Sequence, residues 1–218
     1  MQIGLTGWQR EAAEGDHREL LALIQRADAL GFDSLWLAEY HFRRTGLPYP
    51  SPLLLAAAVF ARTERMRVGT GVTLVPLHHP LILAEQLAQL DVQGDGRLDI
   101  GIGRPNDAGF LTALGIDSAT KHERFVHGYD LLLRAWTDGR VTSSDGPWQF
   151  SETEVGPVSV SSRTSSRSRR WRAAATSRSR PISGVAAVGR LPGMSSYDDA
   201  PVVLGGCAMP GSLRAGMP

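Results

Sequence analysis

Residues 68–106 read VGTGVTLVPLHHPLILAEQLAQLDVQGDGRLDIGIGRPN, and this stretch decides the fold. Two short apolar runs, residues 68–75 and 98–102, flank a segment in which apolar residues recur at helical spacing. A strand, a helix and a second strand therefore follow one another, and a helical crossover of this kind joins parallel strands. Both runs are apolar along most of their length, which is typical of a parallel sheet that is covered on both faces.

The residues that follow these two strands are suited to close approach by a ligand. The first run ends in Thr73 and Pro76, and the second ends in Gly101, Gly103 and Arg104. Ligands of parallel α/β sheets bind at the carboxyl ends of the strands. We therefore expect a binding site where these two strands end.

The same alternation of strands and helices occurs along the first 155 residues. Strands are predicted near residues 2–5, 33–38, 68–75 and 98–102. Asp16 and Ser51 are predicted to cap two of the helices, and a Thr-x-x-Glu capping box at Thr120 is predicted to open a further one. Residues 141–155 are predicted to form a hairpin around an Asp-Gly pair.

Four βα units with short turns favour a (β/α)8 barrel of the TIM type over an open sheet. A complete barrel typically needs about 250 residues. We therefore predict an α/β protein with an incomplete TIM-type barrel, consisting of about the first four βα units and an irregular C-terminal tail. An open barrel exposes strand edges and apolar interior, so a homo-oligomer that covers them is expected.

Charge divides the chain near residue 155. Residues 1–155 carry 14 Lys and Arg against 20 Asp and Glu, a net charge of −6, whereas residues 156–218 carry 9 against 2, a net charge of +7. We interpret this break as a domain boundary. Residues 161–182 hold seven Ser and seven Arg without a sustained apolar period, which predicts a disordered tail that lacks strands.

Two further interpretations of the tail are open. An Arg-rich arm for nucleic acid is disfavoured because Trp171 and Tyr197 are its only aromatic residues, and no nucleic-acid partner is expected. A shifted reading frame in a GC-rich gene would also yield this composition, and we favour that explanation.

Composition excludes several other classes of protein. No run of 18 uncharged apolar residues occurs, so no membrane span is expected. The first residues lack the basic and apolar regions of a secretory signal, and we expect a cytoplasmic protein. The single Cys207 excludes an internal disulfide, and no metal site is expected.

Four charged or titratable residues are candidates for chemistry. Glu39 and His41 follow a buried strand, where a barrel places its active-site groups, although a histidine bonded within its own loop is the commoner case. Arg104 follows Gly101 and Gly103, whose backbone could approach a ring or a phosphate; alone, this pattern is a weak signal. Arg124 lies in the first turn of a helix, where either a bound anion or an ion pair with a neighbouring carboxylate would explain it.

Together these residues resemble the bacterial-luciferase-like family of flavin-dependent monooxygenases. The resemblance covers about residues 1–155 and rests on several motifs in the expected order. The matching segments are GFDSLWLAEYHF at 31–42, RVGTGV at 67–72, PLHHPL at 76–81, EQ at 85–86, LD at 90–91, GRLD at 96–99, GIGR at 101–104, LGI at 114–116 and ERF at 123–125.

The resemblance implies a TIM barrel that uses reduced FMN to activate O2 and oxidise a small organic substrate. A separate flavin reductase could deliver the FMN, and a related branch of the superfamily uses the deazaflavin F420 instead. His41, with Glu39, would lie in the active site near the isoalloxazine. Val72 and Thr73 would line the flavin face, and Arg104 and Arg124 would bind the phosphate. Tyr40 departs from the commoner second histidine of the motif, which leaves the substrate open.

Where the family continues with the far half of the barrel, this chain carries the Ser/Arg stretch. The alternative to a working monooxygenase is therefore a non-catalytic, truncated barrel fragment, and the activity of the chain as written is expected to be impaired.

Overall fold

The computed structural model describes residues 3–6, 16–42, 49–157 and 202–204. The predicted disorder of the tail concerns residues 158–201 and 205–218, which lie outside the described residues.

A five-stranded sheet forms the centre of the described structure. In the order in which they pair, its strands are β1 (Gly4–Thr6), β2 (Ser34–Leu37), β3 (Arg67–Leu74), β4 (Leu98–Gly103) and β7 (Val202–Leu204). The first four are parallel and neighbour one another in chain order. The prediction of an α/β fold with four parallel strands is therefore confirmed.

Helices connect and cover these strands. They are α1 (His17–Ala29), α2 (Pro52–Phe60), α3 (Pro80–Gln93), α4 (Ala108–Ala113) and α5 (Lys121–Asp138). The predicted caps of the first two are confirmed, because Asp16 accepts a hydrogen bond from the backbone of Arg18 and Ser51 accepts one from that of Leu54. Gly31, at φ +93°, follows α1 in the left-handed conformation that commonly ends a helix.

The core lies between the sheet and these helices. Every second residue of β2 and β4 points into it, and Leu35, Leu37, Ile100 and Ile102 are all at most 4% exposed. The alternate residues of β2 and β3 lie on the opposite face, where Trp36 packs closely over Gly69. This arrangement leaves the ends of β2, β3 and β4 side by side at one edge, which is where the site forms.

A two-stranded antiparallel hairpin follows α5. It consists of β5 (Arg140–Ser143) and β6 (Phe150–Glu154), as predicted for residues 141–155. Trp148, in the loop of the hairpin, is 8% exposed and lies against α5 at Gly128.

Two predictions are wrong. Thr120 does not form a capping box, because it is the last residue of a 3₁₀ turn, Ser118–Thr120, and its hydroxyl donates to Asp117 O. Asp117 caps that turn instead, at the backbone N–H of Ala119. The tail does not lack strands throughout, because Val202–Leu204 pairs antiparallel with Ile100–Ile102. The exposed edge of β4 supplies backbone groups that any extended segment can pair with.

Candidate active site

The centre of the site is the carboxylate of Glu39, two residues beyond the end of β2. Its side chain is 2% exposed. Oε1 accepts hydrogen bonds from Nε2 of His41 at 2.6 Å and from Nε2 of His78 at 2.7 Å. Oε2 accepts a bond of 2.7 Å from the backbone N–H of Leu74. Groups from the ends of β2 and β3 therefore meet at one buried carboxylate.

The carboxyl of Glu39 is ionised at neutral pH. Burial works against its charge, but the hydrogen bonds from His78, His41 and the Leu74 amide outweigh burial and hold the pKa below its usual range. An ionised carboxylate accepts hydrogen bonds and cannot donate them. Both histidines therefore donate from Nε2, and the Nδ1 atom of each ring takes no part in the bond to Glu39.

Two aromatic rings lie beside the imidazole of His41. Its ring centroid lies 5.7 Å from that of Phe42 and 6.3 Å from that of Phe110, which α4 supplies. Phe42 has φ +56° and is 61% exposed, whereas Phe110 is 7% exposed. The imidazole of His41, 25% exposed, therefore bonds to a buried charge and lies beside one exposed and one buried aromatic ring.

The end of β3 is irregular next to this cluster. Its pairing with β4 shifts between Thr70 and Thr73, and the Gly71–Val72 peptide is cis. Thr70 Oγ1 donates to Gly101 O at 2.8 Å and accepts from Gly101 N at 3.1 Å, so that a side chain takes over backbone pairing. At this irregularity Gly71 is exposed and Val72 is half-buried. Bulges of this kind are common next to active sites.

Thr73 lies close to the cluster but presents no accessible hydroxyl. Its side chain is fully buried, and Oγ1 makes no hydrogen bond within the described residues. Of the two residues predicted to line a flavin, Val72 is therefore the one with an accessible side chain.

Gly101 and Gly103 are required by the packing of the protein itself. A methyl group on Gly101 would overlap the backbone oxygen of Thr70, and one on Gly103 would lie 2.7 Å from Cγ2 of Val72. The sequence predicted that these glycines admit a ligand. The structure shows β3 in the space of their missing side chains, with Gly103 still half-buried at the strand end.

Arg104 extends from the end of β4 to the start of α5. Its guanidinium donates to Nδ1 of His122 at 2.8 Å and lies 5.9 Å from the ring centre of Phe125. The amino end of a helix favours anions. A cation held beside that end is suited to a phosphate.

Arg124 points elsewhere. Its Nε donates to the carbonyl of Pro76 at 3.3 Å, and its guanidinium lies over the ring of Trp148 at 4.5 Å. Burial lowers the pKa of this guanidinium, with Glu123 acting in the opposite direction. These contacts account for the arginine without a bound anion, and its predicted role toward phosphate stays a prediction.

His78 is the residue of the cluster that sequence reasoning missed. It lies one residue beyond the 3₁₀ turn Val75–Leu77 that follows β3. The available signal was its position, since His78 lies four residues beyond the end of a buried strand, as His41 does. Within the described ranges, no three His, Cys, Asp or Glu side chains are arranged to hold a metal ion.

Two imidazoles are bonded to a buried carboxylate at the carboxyl edge of a parallel sheet. This arrangement is typical of an α/β enzyme. The sequence matches the profile of the luciferase-like monooxygenases over residues 3–201. The chain belongs to this family, and the resemblance seen in its motifs is confirmed. The match continues past residue 155, where the composition changes.

Named relatives support the assignment. The alkanal monooxygenase alpha chain of the Kryptophanaron alfredi symbiont is 30% identical over 146 residues, covering 67% of this chain and 41% of the relative. The 4-hydroxyprotoasukamycin monooxygenase of Streptomyces nodosus subsp. asukaensis is 34% identical over 128 residues, covering 59% and 34%. The crystal structure of monooxygenase RslO1 from Streptomyces bottropensis has a TM-score of 0.66 at 33% identity, covering 73% of this chain and 50% of that one. The chain thus spans half or less of each relative.

No helix among the described residues is long and apolar enough to cross a membrane.

Proposed function

We propose that this chain carries the first half of a TIM-type barrel that oxidises a small organic substrate with O2 and reduced flavin. The observation that carries the proposal is the buried Glu39 carboxylate, which holds the imidazoles of His41 and His78 at the carboxyl edge of parallel strands. This edge is where barrel enzymes bind their substrates, and the chain belongs to a family of monooxygenases.

The residues present fit a flavin mononucleotide. The exposed Gly71 and the half-buried Val72 and Gly103 offer a mostly apolar surface for the isoalloxazine. Arg104, beside the amino end of α5, offers a positive charge for the phosphate. When bound, the reduced flavin would supply the two electrons that activate O2. FMN is the proposed cofactor, with F420 as the alternative within the superfamily.

The residues of this chain would position the substrate and move a proton. Glu39 fixes the ring of His41 through Nε2–H, so Nδ1 is the atom that can take a proton from the substrate and afterwards return it. Phe42 and Phe110 would exclude water from that side of the imidazole. A flavin reductase and a second copy of the chain are the proposed partners.

Flavin binding and turnover of the purified 218-residue chain test this proposal. Anaerobic titration with reduced FMN, riboflavin and F420 identifies the cofactor. Oxygen uptake and product formation are then followed with an aldehyde, an alkane and a sulfonate. We expect binding of reduced FMN and turnover that His41→Gln lowers by about 100-fold, whereas His17→Gln, which alters an exposed histidine bonded to Tyr49, has no effect.

A folded chain that binds no flavin would overturn the proposal. It would support the alternative that the chain is a non-catalytic, truncated barrel fragment. Binding of F420 in place of FMN, with hydride transfer and no oxygen uptake, would replace the monooxygenase by an F420-dependent oxidoreductase.

A further inference from the structure

His78 was not selected as a site residue from the sequence, but it bonds to the carboxylate at the centre of the site. Its Nε2 reaches the same oxygen of Glu39 as Nε2 of His41, at 2.7 Å against 2.6 Å. The two histidines come from different segments, one after β2 and one after β3. Their shared acceptor is the one carboxylate that the described structure buries at this edge of the sheet.

We propose that His78 is a positioning residue, which holds the Glu39 carboxylate in the orientation that keeps His41 in its Nε2–H form with Nδ1 directed to the substrate. The chemical role of Nδ1 rests on the proposed function. The effect of His78 on the ring of His41 does not, and it can be measured without flavin.

The hydrogen bonds at Glu39 explain why a second imidazole matters. The amide of Leu74 fixes only Oε2, which leaves the carboxylate free to turn about that oxygen. The bond from His41 cannot fix the carboxylate independently, because His41 itself is the group to be positioned. His78 supplies the remaining restraint on Oε1, from the rigid turn that follows β3.

The turn that carries His78 is itself anchored. Arg124 donates to the carbonyl of Pro76, and Val75 is fully buried against α5 near Gly128. His41, by contrast, is followed by the exposed Phe42 at φ +56°. The better anchored histidine therefore positions the other one, with the carboxylate as the connection between them.

Nitrogen-15 NMR of histidine-labelled protein, without flavin and at a pH where both rings are neutral, tests this inference. The readout is the Nε2–H proton of His41 and its exchange with water. His78→Gln keeps an N–H donor at the place of Nε2, whereas His78→Leu removes it at similar volume. His17→Gln is the control, since His17 is exposed and is bonded to the Tyr49 hydroxyl, not to Glu39.

We expect a protected His41 Nε2–H in the parent chain, in His78→Gln and in His17→Gln. In His78→Leu its exchange should accelerate at least tenfold, while the backbone amides of β3 and β4 keep their protection. Unchanged exchange in His78→Leu would overturn the inference, and so would an equal loss in His78→Gln. If the leucine variant loses amide protection, His78→Ala is measured in its place, because the side chain of His78 is 26% exposed and tolerates truncation.

Turnover separates this inference from the proposed function. His78→Leu should lower kcat about tenfold or more with little change in KM, and His78→Gln should restore most of it. An active chain in which His41 is insensitive to His78 would refute the positioning role alone. A chain that binds no flavin but shows the expected exchange pattern would refute the proposed function alone.

Discussion

Arg67 and Asp99 form a two-point ion pair across β3 and β4, with Nε–Oδ2 and Nη2–Oδ1 distances of 2.7 and 2.6 Å. The same guanidinium donates to the carbonyls of Gly96 and Leu98, each at 3.2 Å. One side chain thereby joins the start of β3 to the turn that leads into β4. The site at the far end of these strands depends on their alignment.

Arg67→Lys should lower the free energy of unfolding by about 1.5–3 kcal/mol, because an ammonium cannot form the planar two-point contact with Asp99 and loses the carbonyl bonds. Urea denaturation measures the change. Arg140→Lys is the matched control, since Arg140 pairs with Glu152 at 3.2 Å but both side chains are more than 60% exposed, and we expect less than about 0.5 kcal/mol there. Equal effects at the two positions would contradict the prediction.

Asp28 should make the stability of the chain sensitive to acid. Its carboxylate accepts backbone hydrogen bonds from Glu64 and Met66 at 2.7 Å each, and from Arg65 at 3.4 Å. Burial raises the pKa of Asp28, but these bonds outweigh burial and hold the pKa below its usual range.

Because the pKa of Asp28 is lower in the folded chain, its stabilisation is present above pH 3.8 and is lost as the pH falls through the folded value. Asp28→Asn should cost about 1.5–3 kcal/mol at pH 7 and flatten the fall in stability below about pH 4. Denaturation midpoints from pH 2 to pH 7 test both points. A variant with the same acid-induced loss as the parent would show that other carboxylates are responsible.

Gly101 and Gly103 should differ in the way they tolerate alanine. The methyl group at residue 101 meets the backbone of Thr70, which cannot move without breaking the β3–β4 pairing. The methyl group at residue 103 meets the side chain of Val72. Overpacking typically costs about 1–3 kcal/mol, and we expect Gly101→Ala to exceed Gly103→Ala in thermal unfolding.

A second substitution distinguishes the two cases. Val72→Ala should recover most of the stability lost in Gly103→Ala and little of that lost in Gly101→Ala. It removes the close contact at residue 103, whereas the overlap at residue 101 is with the backbone oxygen of Thr70. Equal recovery at both positions would mean that backbone movement, and not the contact with Val72, limits the substitution at Gly103.

The order of strands and helices could be read from the sequence because it depends on local signals. Apolar runs of strand length alternate with helical periods, and caps such as Asp16 and Ser51 depend on residues only two or three positions away. Thr120 shows the limit of such signals. Its spacing from Glu123 satisfied the capping-box rule, but Asp117 takes the capping role one turn earlier.

The candidate site depends on contacts between residues that are far apart in the sequence. Glu39 and His41 could be selected by their position after a strand, but the bond from His78 joins residues 39 positions apart. The contact of Arg124 with Trp148 likewise requires the hairpin to fold back over α5. The sequence selected the glycines as positions of close approach by a ligand, and that role stays a prediction. At Gly101 the structure shows the neighbouring strand in close approach.

Arg104→Ala should weaken binding of FMN but not of riboflavin, which lacks the phosphate. A charge-assisted contact to an anion contributes about 1.5–3 kcal/mol, so the Kd for reduced FMN should rise by roughly 10- to 100-fold.

Arg124→Ala is the comparison, because the guanidinium of Arg124 already contacts Pro76 and Trp148. If Arg124 acts only through those contacts, its removal should lower stability and leave the ratio of FMN to riboflavin affinity unchanged. Isothermal titration with both flavins measures this ratio. A larger loss of FMN selectivity in Arg124→Ala than in Arg104→Ala would move the phosphate site from the end of β4 to the first turn of α5.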